Sequence, residues 1–426
     1  MSLNRRDFIV AAGLGAATAT VAGVIGSAKE PAANNLTAMQ GSTDWEGVRA
    51  QFNLEPNYIH MAGLLIASHP TPVQEAIAQH QSALNENPGL YLPQNNSRLQ
   101  AGVRQAAANY MGAQPEDIAL TDSTTMGIAL VINGIQIRED QEMVTAEFDY
   151  YSTHESLRYK AARTGAKVRK IPLYQNIQNV TADEIVNMLI DTVRTPTRVV
   201  TATWVHSSTG LKIPVRQIAD RLAKINAARS EADRLLLLVD GVHGLGVEDT
   251  TISDLGCDFF MAGTHKWMFA PRGSGVIWGN PRSQSAVSPT IPSFTSGAGW
   301  GGRMTPGGFK PFEHLWAMAQ AFEFHQQLGK SRVAERIHSL SRQLKEGLAE
   351  MSRVTLYTPM DESLSAGIIC FDVDGLTPIQ VVRQLQQRNI IASSTPYSPS
   401  HARLTPGVYN TPEEMEQVLR AIRELG

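Results

Sequence analysis

Asp240, His243 and Lys266 bring an acid, an imidazole and an amine together within a short stretch of chain. Asp240 follows the apolar run LLLLV at 235–239, His243 comes three residues later, and Lys266 comes 26 residues after Asp240. Lys266 stands between His265 and Trp267, after the apolar run 259–262 and ahead of the turn-forming PRGSG. Burying an ammonium without a partner is expensive, so lysine is normally kept in water. In this setting it is a solvated side chain, an ion-pair partner, or an amine used chemically. Asp240 on its own reads equally as a structural cap or a functional acid.

Ligands of open α/β sheets bind outside the carboxyl ends of the strands, where all three residues are expected to fall. The trio suits pyridoxal phosphate (PLP): the amine forms a Schiff base, the carboxylate keeps the pyridine nitrogen protonated, and the ring serves as an electron sink. VDGVHGLG followed by DFFMAGTHKWMFAPRGSGVIWG resembles the class V aminotransferase family of fold-type I PLP enzymes. Within that family it is similar to the isopenicillin N epimerase-like branch, where His-Lys-Trp and a Pro-Arg/Lys-Gly-Ser-Gly follow the strand. The resemblance runs from about residue 57 to the C-terminus.

That resemblance implies roles for further residues. Ser123, Thr124 and Thr125 precede an apolar helical run, and hydroxyls with free amides at a helix N-terminus suit a phosphate. N-capping is the commoner use of such hydroxyls. The family binds the PLP phosphate here, with Thr125 matching its hydroxyl ligand and His265 a second contact. Where the family often has Ser or Asn three residues before the lysine, this chain has Gly263, so one phosphate bond is missing or comes from Thr264. In AEFDYYSTHESLRY, Tyr150 matches the residue stacked on the pyridine ring, with Tyr151 and His154 as rivals and core packing as the alternative. WVHSSTGLKIPV resembles a strand-end segment lining the site, which turns His206 and Ser207 toward cofactor or substrate. TPGGF, opened by Thr305, resembles the loop that reaches the phosphate of the partner subunit, and so implies a homodimer. Arg403, in ARLTPGVYNTPEE, matches the arginine that binds the substrate α-carboxylate. A guanidinium fork makes two parallel charge-assisted hydrogen bonds to such a group.

Holding these residues takes a sheet and its covering helices. Apolar runs suited to buried strands occur at 143–146, 168–173, 199–205, 235–239, 259–262 and 276–278. Helical stretches such as TADEIVNMLIDTV and PVRQIADRLAKINAARS separate several of them. The alternation predicts an α/β fold with a mostly parallel central sheet flanked by helices. A long helical region from about 311 to 351 leads to a tail with the strand-like AGIICFDVDG, a helix from 378 to about 389 and a last helix opened by NTPEE. The tail reads as a smaller α+β domain, with the segment before about His60 packed against it. The expected organisation is a leader at 1–28, a linker and N-terminal segment at 29–56, a large PLP-binding domain at 57–310, and a connecting helix with the small domain at 311–426.

The chain has 426 residues, 42% apolar and 18% charged, ordinary for a protein with a sizeable core. A formal net charge of −3 and the lack of a basic run give no reason to expect a nucleic-acid partner. The two cysteines, Cys257 and Cys370, sit at or in apolar runs and read as buried thiols, without the spacing of a metal site. The N-terminus differs: NRRDFIVAAGLGAATATVAGVIGSAKE carries an arginine pair, a mild small-residue apolar stretch and a cleavable-looking site near Ala28. It reads as a signal peptide rather than a span, leaving no membrane attachment after its removal. Arg5-Arg6-Asp7-Phe8 resembles the twin-arginine export motif, so the twin-arginine translocase and the periplasm are expected.

Cysteine desulfurases of this family need a mobile cysteine shortly before the carboxylate-binding arginine, and ASSTPYSPSHAR has none. A PLP enzyme exported folded has no access to cytoplasmic amino-acid pools, so the expected substrate is an amino-acid group on a maturing secreted peptide. Leader and core together resemble the periplasmic PLP enzymes of siderophore maturation. That implies conversion of the pyoverdine glutamyl side chain to its succinamide form. The rivals are an aminotransferase or epimerase of free amino acids, and a PLP-fold binding protein without catalysis.

Overall fold

The computed structural model describes residues 44–425 apart from Ser296. The leader at 1–28, with Arg5 and Arg6, and the first part of the 29–56 segment lie outside the described residues.

Strands are numbered along the chain: β1 (Ile59–His60), β2 (Ile118–Thr121), β3 (Glu142–Ala146), β4 (Lys167–Ile171), β5 (Thr197–Thr203), β6 (Leu236–Asp240), β7 (Phe259–Gly263) and β8 (Gly275–Gly279). The later ones are β9 (Val354–Leu356), β10 (Ile369–Val373), β11 (Ile390–Ile391), β12 (Ser393–Ser394) and β13 (Ala402–Leu404). Seven of them form the main sheet in the order β2-β8-β7-β6-β5-β3-β4. Strands β7, β6, β5, β3 and β4 run parallel to one another. Every residue of β5, β6 and β7 is buried, which is why these segments read as near-continuous runs rather than alternating ones.

The sheet is mostly parallel, as expected, with one antiparallel member. β8 runs antiparallel to both β7 and β2. Gly263 pairs directly with Gly275, so the chain turns back within 264–274, too short a connection for a parallel crossover. That short return is the segment holding Lys266. Strand β2, absent from the sequence expectation, takes the edge position beside β8.

The helix Thr124–Gly134 buries Ile128, Val131 and Ile132 in the same core as Phe259, Met261 and Ile277 of the sheet. A second core gathers Leu340, Leu344 and Leu348 of one helix with Met415, Val418 and Ile422 of another. Those spacings of three and four residues put one face of each helix inward. Both helices close over the sheet β12-β13-β10-β9. The expected long helix is in fact three, Phe312–Trp316, Met318–Leu328 and Lys330–Ala349. Gly329, with φ 85°, ends the second in a conformation a right-handed helix cannot continue. The segment before His60 does meet the tail, because β1 pairs with β11. Cys257 and Cys370 are free and buried. No helix among the described residues is long and apolar enough to cross a membrane.

Candidate active site

The carboxyl ends of β5, β6 and β7 lie side by side, and the register sets Thr203 opposite Asp240. A cleft of about 390 Å³ opens above them. It is lined by Asp240, His243 and Lys266, by Ser123, Thr124 and Thr125, and by Tyr150, Ser207, His265 and Arg403. Ser123 and Arg403, 280 positions apart in the chain, thus share one space.

Burial pushes the Asp240 carboxyl up to about 6, opposed by a hydrogen bond from the Val242 amide and by the Lys266 charge, and assisted by Asp149. The Lys266 amine is lowered to about 8, first by burial, while Asp240 raises it and Arg403 lowers it. Near neutral pH the lysine therefore exchanges its proton readily. His243 is held well below its ordinary value, by burial first and then by Lys266, Arg403 and His265. Its Nε2 lies 3.5 Å from Lys266 Nζ, and its Nδ1 accepts a hydrogen bond from Trp267 Nε1 at 3.2 Å.

At the start of the Thr124–Gly134 helix, Ser123 Oγ accepts from the Met126 amide and serves as the N-cap. Thr124 Oγ1 accepts from the Gly263 amide at 2.7 Å, tying the helix to the end of β7. Thr125 is the exposed hydroxyl of the three. The fit at Gly263 is close: a Cβ there would stand 2.9 Å from both Thr124 Oγ1 and His265 Cε1. Arg403 is only 2% exposed, and three contacts anchor it: Nε to Ser393 Oγ, one terminal nitrogen to the Ser207 carbonyl at 2.8 Å, the other to the Ser394 carbonyl. N–H groups on both terminal nitrogens stay available to a carboxylate.

Three expectations change, and the choice of Tyr150 over its rivals stands. His206 is fully buried and does not line the cleft; both its ring nitrogens lack partners, and Asp149 Oδ1 is 3.8 Å away. The neighbouring Ser207 lines the cleft instead. Thr305 is buried, donating to the Gly301 carbonyl and accepting from the Leu120 amide, so its hydroxyl is not offered outward. Thr264 is likewise turned away, its hydroxyl paired with Ser274 Oγ, and replaces no donor at Gly263. Among the three aromatic rivals only Tyr150 borders the cleft. Tyr151 is 67% exposed outside it, and His154 bonds the Ala146 carbonyl and Lys170. Sequence reasoning missed Thr203, whose buried hydroxyl has no hydrogen-bond partner among the described residues, and the apolar wall of Leu64 and Leu65. It also missed Asp149, which accepts four hydrogen bonds beneath the site. Strand register alone would have revealed Thr203, and register is not readable from one strand.

A family model described as aminotransferase class V matches residues 67–420. The chain belongs to the aminotransferase class V family. It is therefore a fold-type I, PLP-dependent enzyme. Isopenicillin N epimerase of Streptomyces clavuligerus is 24% identical over 403 residues, covering 90% of this chain and 98% of that one. A cysteine desulfurase of Klebsiella pneumoniae is 25% identical over 359 residues, covering 77% and 82%. Among solved structures, a C-DES mutant with glycine covalently linked to its PLP cofactor superposes with a TM-score of 0.81 at 23% identity, covering 89% of this chain and 99% of that one. The apo cysteine desulfurase of Thermococcus onnurineus reaches 0.77 at 21% identity, covering 89% and 97%. The class V residues fit the cofactor on this structure's own terms. An unpaired buried hydroxyl at Thr203, a buried carboxylate, a deprotonatable amine and a helix N-terminus with exposed Thr125 converge on one cleft.

Proposed function

We propose that this class V enzyme acts outside the cytoplasm on an amino-acid group of a maturing siderophore, converting the pyoverdine glutamyl side chain to its succinamide form. The observation that carries the chemistry is the meeting of Lys266, Asp240 and Arg403 in one cleft. The address rests on Arg5 and Arg6 in the leader sequence.

PLP, when bound, supplies an aldehyde for an amine and a ring that takes up electrons from a substrate α-carbon. Asp240, buried in the cleft, would hold a proton on the ring nitrogen. Lys266 carries the cofactor and, with its lowered proton affinity, takes up and returns a proton at the substrate. The helix N-terminus with Ser123 and Thr125, and His265 beside it, hold the phosphate. Tyr150, on the cleft wall, would pack against the ring. Arg403, clamped by the Ser207 carbonyl, orients the α-carboxylate. A homodimer completes the enzyme.

Desulfuration lacks its nucleophile. Residues 392–403 contain no cysteine, and Cys370 is fully buried with its thiol pushed up to about 12 by that burial. A second reading, epimerisation or transamination of free amino acids or small peptides, draws on the near full-length similarity to isopenicillin N epimerase. A binding protein without catalysis would have no use for Asp240, His243 and Lys266 together.

Two measurements test the proposal in turn. The purified protein should be yellow, and borohydride reduction followed by peptide mapping should place a pyridoxyl adduct on Lys266; an adduct on another lysine sinks the assignment. Mass spectrometry of siderophore from a strain lacking the protein should then show an unmodified glutamyl side chain. Unchanged siderophore rejects the substrate and leaves the PLP chemistry standing.

A further inference from the structure

We propose that Trp267 is a positioning residue for catalysis: its indole N–H fixes His243 in the tautomer that presents Nε2–H to the Lys266 amine. An indole nitrogen can only donate. Because Trp267 Nε1 donates to His243 Nδ1, that ring nitrogen must be unprotonated, and the one proton of the neutral ring sits on Nε2. Nε2 is the atom 3.5 Å from Lys266 Nζ. The ring is buried and stays neutral, with Lys266, Arg403 and His265 all opposing its charge.

The consequence reaches the amine. A neutral amine accepts from Nε2–H, whereas an ammonium would meet a proton head-on. The reversed tautomer would present a lone pair and favour the ammonium. Trp267 thus biases its chain neighbour toward the reactive, unprotonated form without touching it through its ring.

The indole is well seated for this task. Trp267 is 3% exposed, and its carbonyl accepts from His325 Nε2 at 2.8 Å. A Cβ on Gly246 would come within 2.8 Å of the Trp267 carbonyl carbon, and one on Gly367 within 2.7 Å of indole Cη2. Gly246 thus packs close against the residue's backbone and Gly367 against its indole.

This inference rests on the reading of the cleft as the catalytic centre, and its test separates the two. The full chain is labelled with [15N]histidine and examined by long-range 1H–15N correlation, both ligand-free and loaded with PLP. Signals of His243 are identified by their loss in His243→Gln. The ligand-free wild-type protein is expected to show a protonated Nε2 and an unprotonated Nδ1. In Trp267→Phe the two nitrogens are expected to move toward averaged shifts, while PLP is retained and turnover falls about tenfold at little-changed KM, the order of one lost hydrogen bond. Should that variant fail to fold, replacement of Trp267 by benzothienylalanine exchanges only N–H for sulfur and decides the matter. A wild-type proton on Nδ1, or an unaltered His243 pattern in the substituted protein, overturns the proposal. Failure of the wild-type protein to take up PLP would reject the cofactor reading instead, with the ligand-free tautomer still readable.

Discussion

Burial sets the proton affinities of Lys266 and Asp240 first, and each then opposes the other's shift. Only the free amine reacts with an acylating reagent, so in the ligand-free protein the rate at Lys266 should climb as pH rises through about 8, well below the ordinary lysine value of 10.5. Asp240→Asn removes the anion that raises the lysine, and its midpoint should fall below that of the wild type. Peptide-resolved mass spectrometry of acylation against pH measures both; a midpoint near 10.5 would mean that Lys266 is solvated. The same substitution should leave the fold and bound PLP largely intact but cut turnover by about a hundredfold, the usual scale for losing one fixed electrostatic partner. Near-normal steady-state turnover would show that another group protonates the ring nitrogen.

Three strand ends and one helix start make the frame. β5 contributes Thr203, β6 contributes Asp240, and the short return from β7 to β8 contributes Lys266. The helix is locked to β7 by Thr124 Oγ1 and the Gly263 amide, which leaves Thr125 to face the cleft. Division of labour between adjacent threonines gives a prediction. Thr125→Val keeps the helix and the tie to β7 but deletes a hydroxyl aimed at a charged phosphate. Hydrogen bonds to charged groups are worth roughly 1.5–3 kcal/mol, so PLP should bind about ten- to a hundredfold more weakly. Absorbance titration of ligand-free protein with PLP reads this directly. Unchanged affinity would move the phosphate away from Thr125.

At the scale of the whole molecule, the small sheet lends Arg403 to a cleft built by the large one. Arg403 reaches the Ser207 carbonyl across 196 residues of sequence, so carboxylate recognition depends on the two parts staying together. Address is a separate property of the chain. Replacing Arg5 and Arg6 by lysine preserves positive charge, so electrostatics alone predicts no change, whereas twin-arginine recognition predicts retention in the cytoplasm. Retained enzyme should still bind PLP, since the cleft begins at Leu64. Cells carrying it should secrete siderophore with an unmodified glutamyl side chain. Fractionation and mass spectrometry check both; normal product from trapped enzyme would reject the periplasmic reading.

The sequence by itself carried the family in its motifs around Asp240 and Lys266, and it placed them at strand ends because buried parallel strands must be apolar throughout and must stop where polar groups begin. Asp240, His243 and Lys266 are legible for that reason, as is the hydroxyl-rich start of a helix at Ser123. The tail's strand at 369–373 and its last helix are legible from their periodicity. Direction was not. Whether His206 or Ser207 meets the cleft turns on one residue of phase, and the tertiary structure chose Ser207. Tyr150 was separated from Tyr151 and His154 only by where the following helix starts. Thr305 and Thr264 carry suitable hydroxyls, but distant partners at Leu120, Gly301 and Ser274 claim them first. The antiparallel return of β8, the unpaired Thr203 and the indole behind His243 depend on which strands become neighbours. Composition and spacing act along the chain, whereas a side chain's partners are set by contacts between segments that the chain itself keeps far apart.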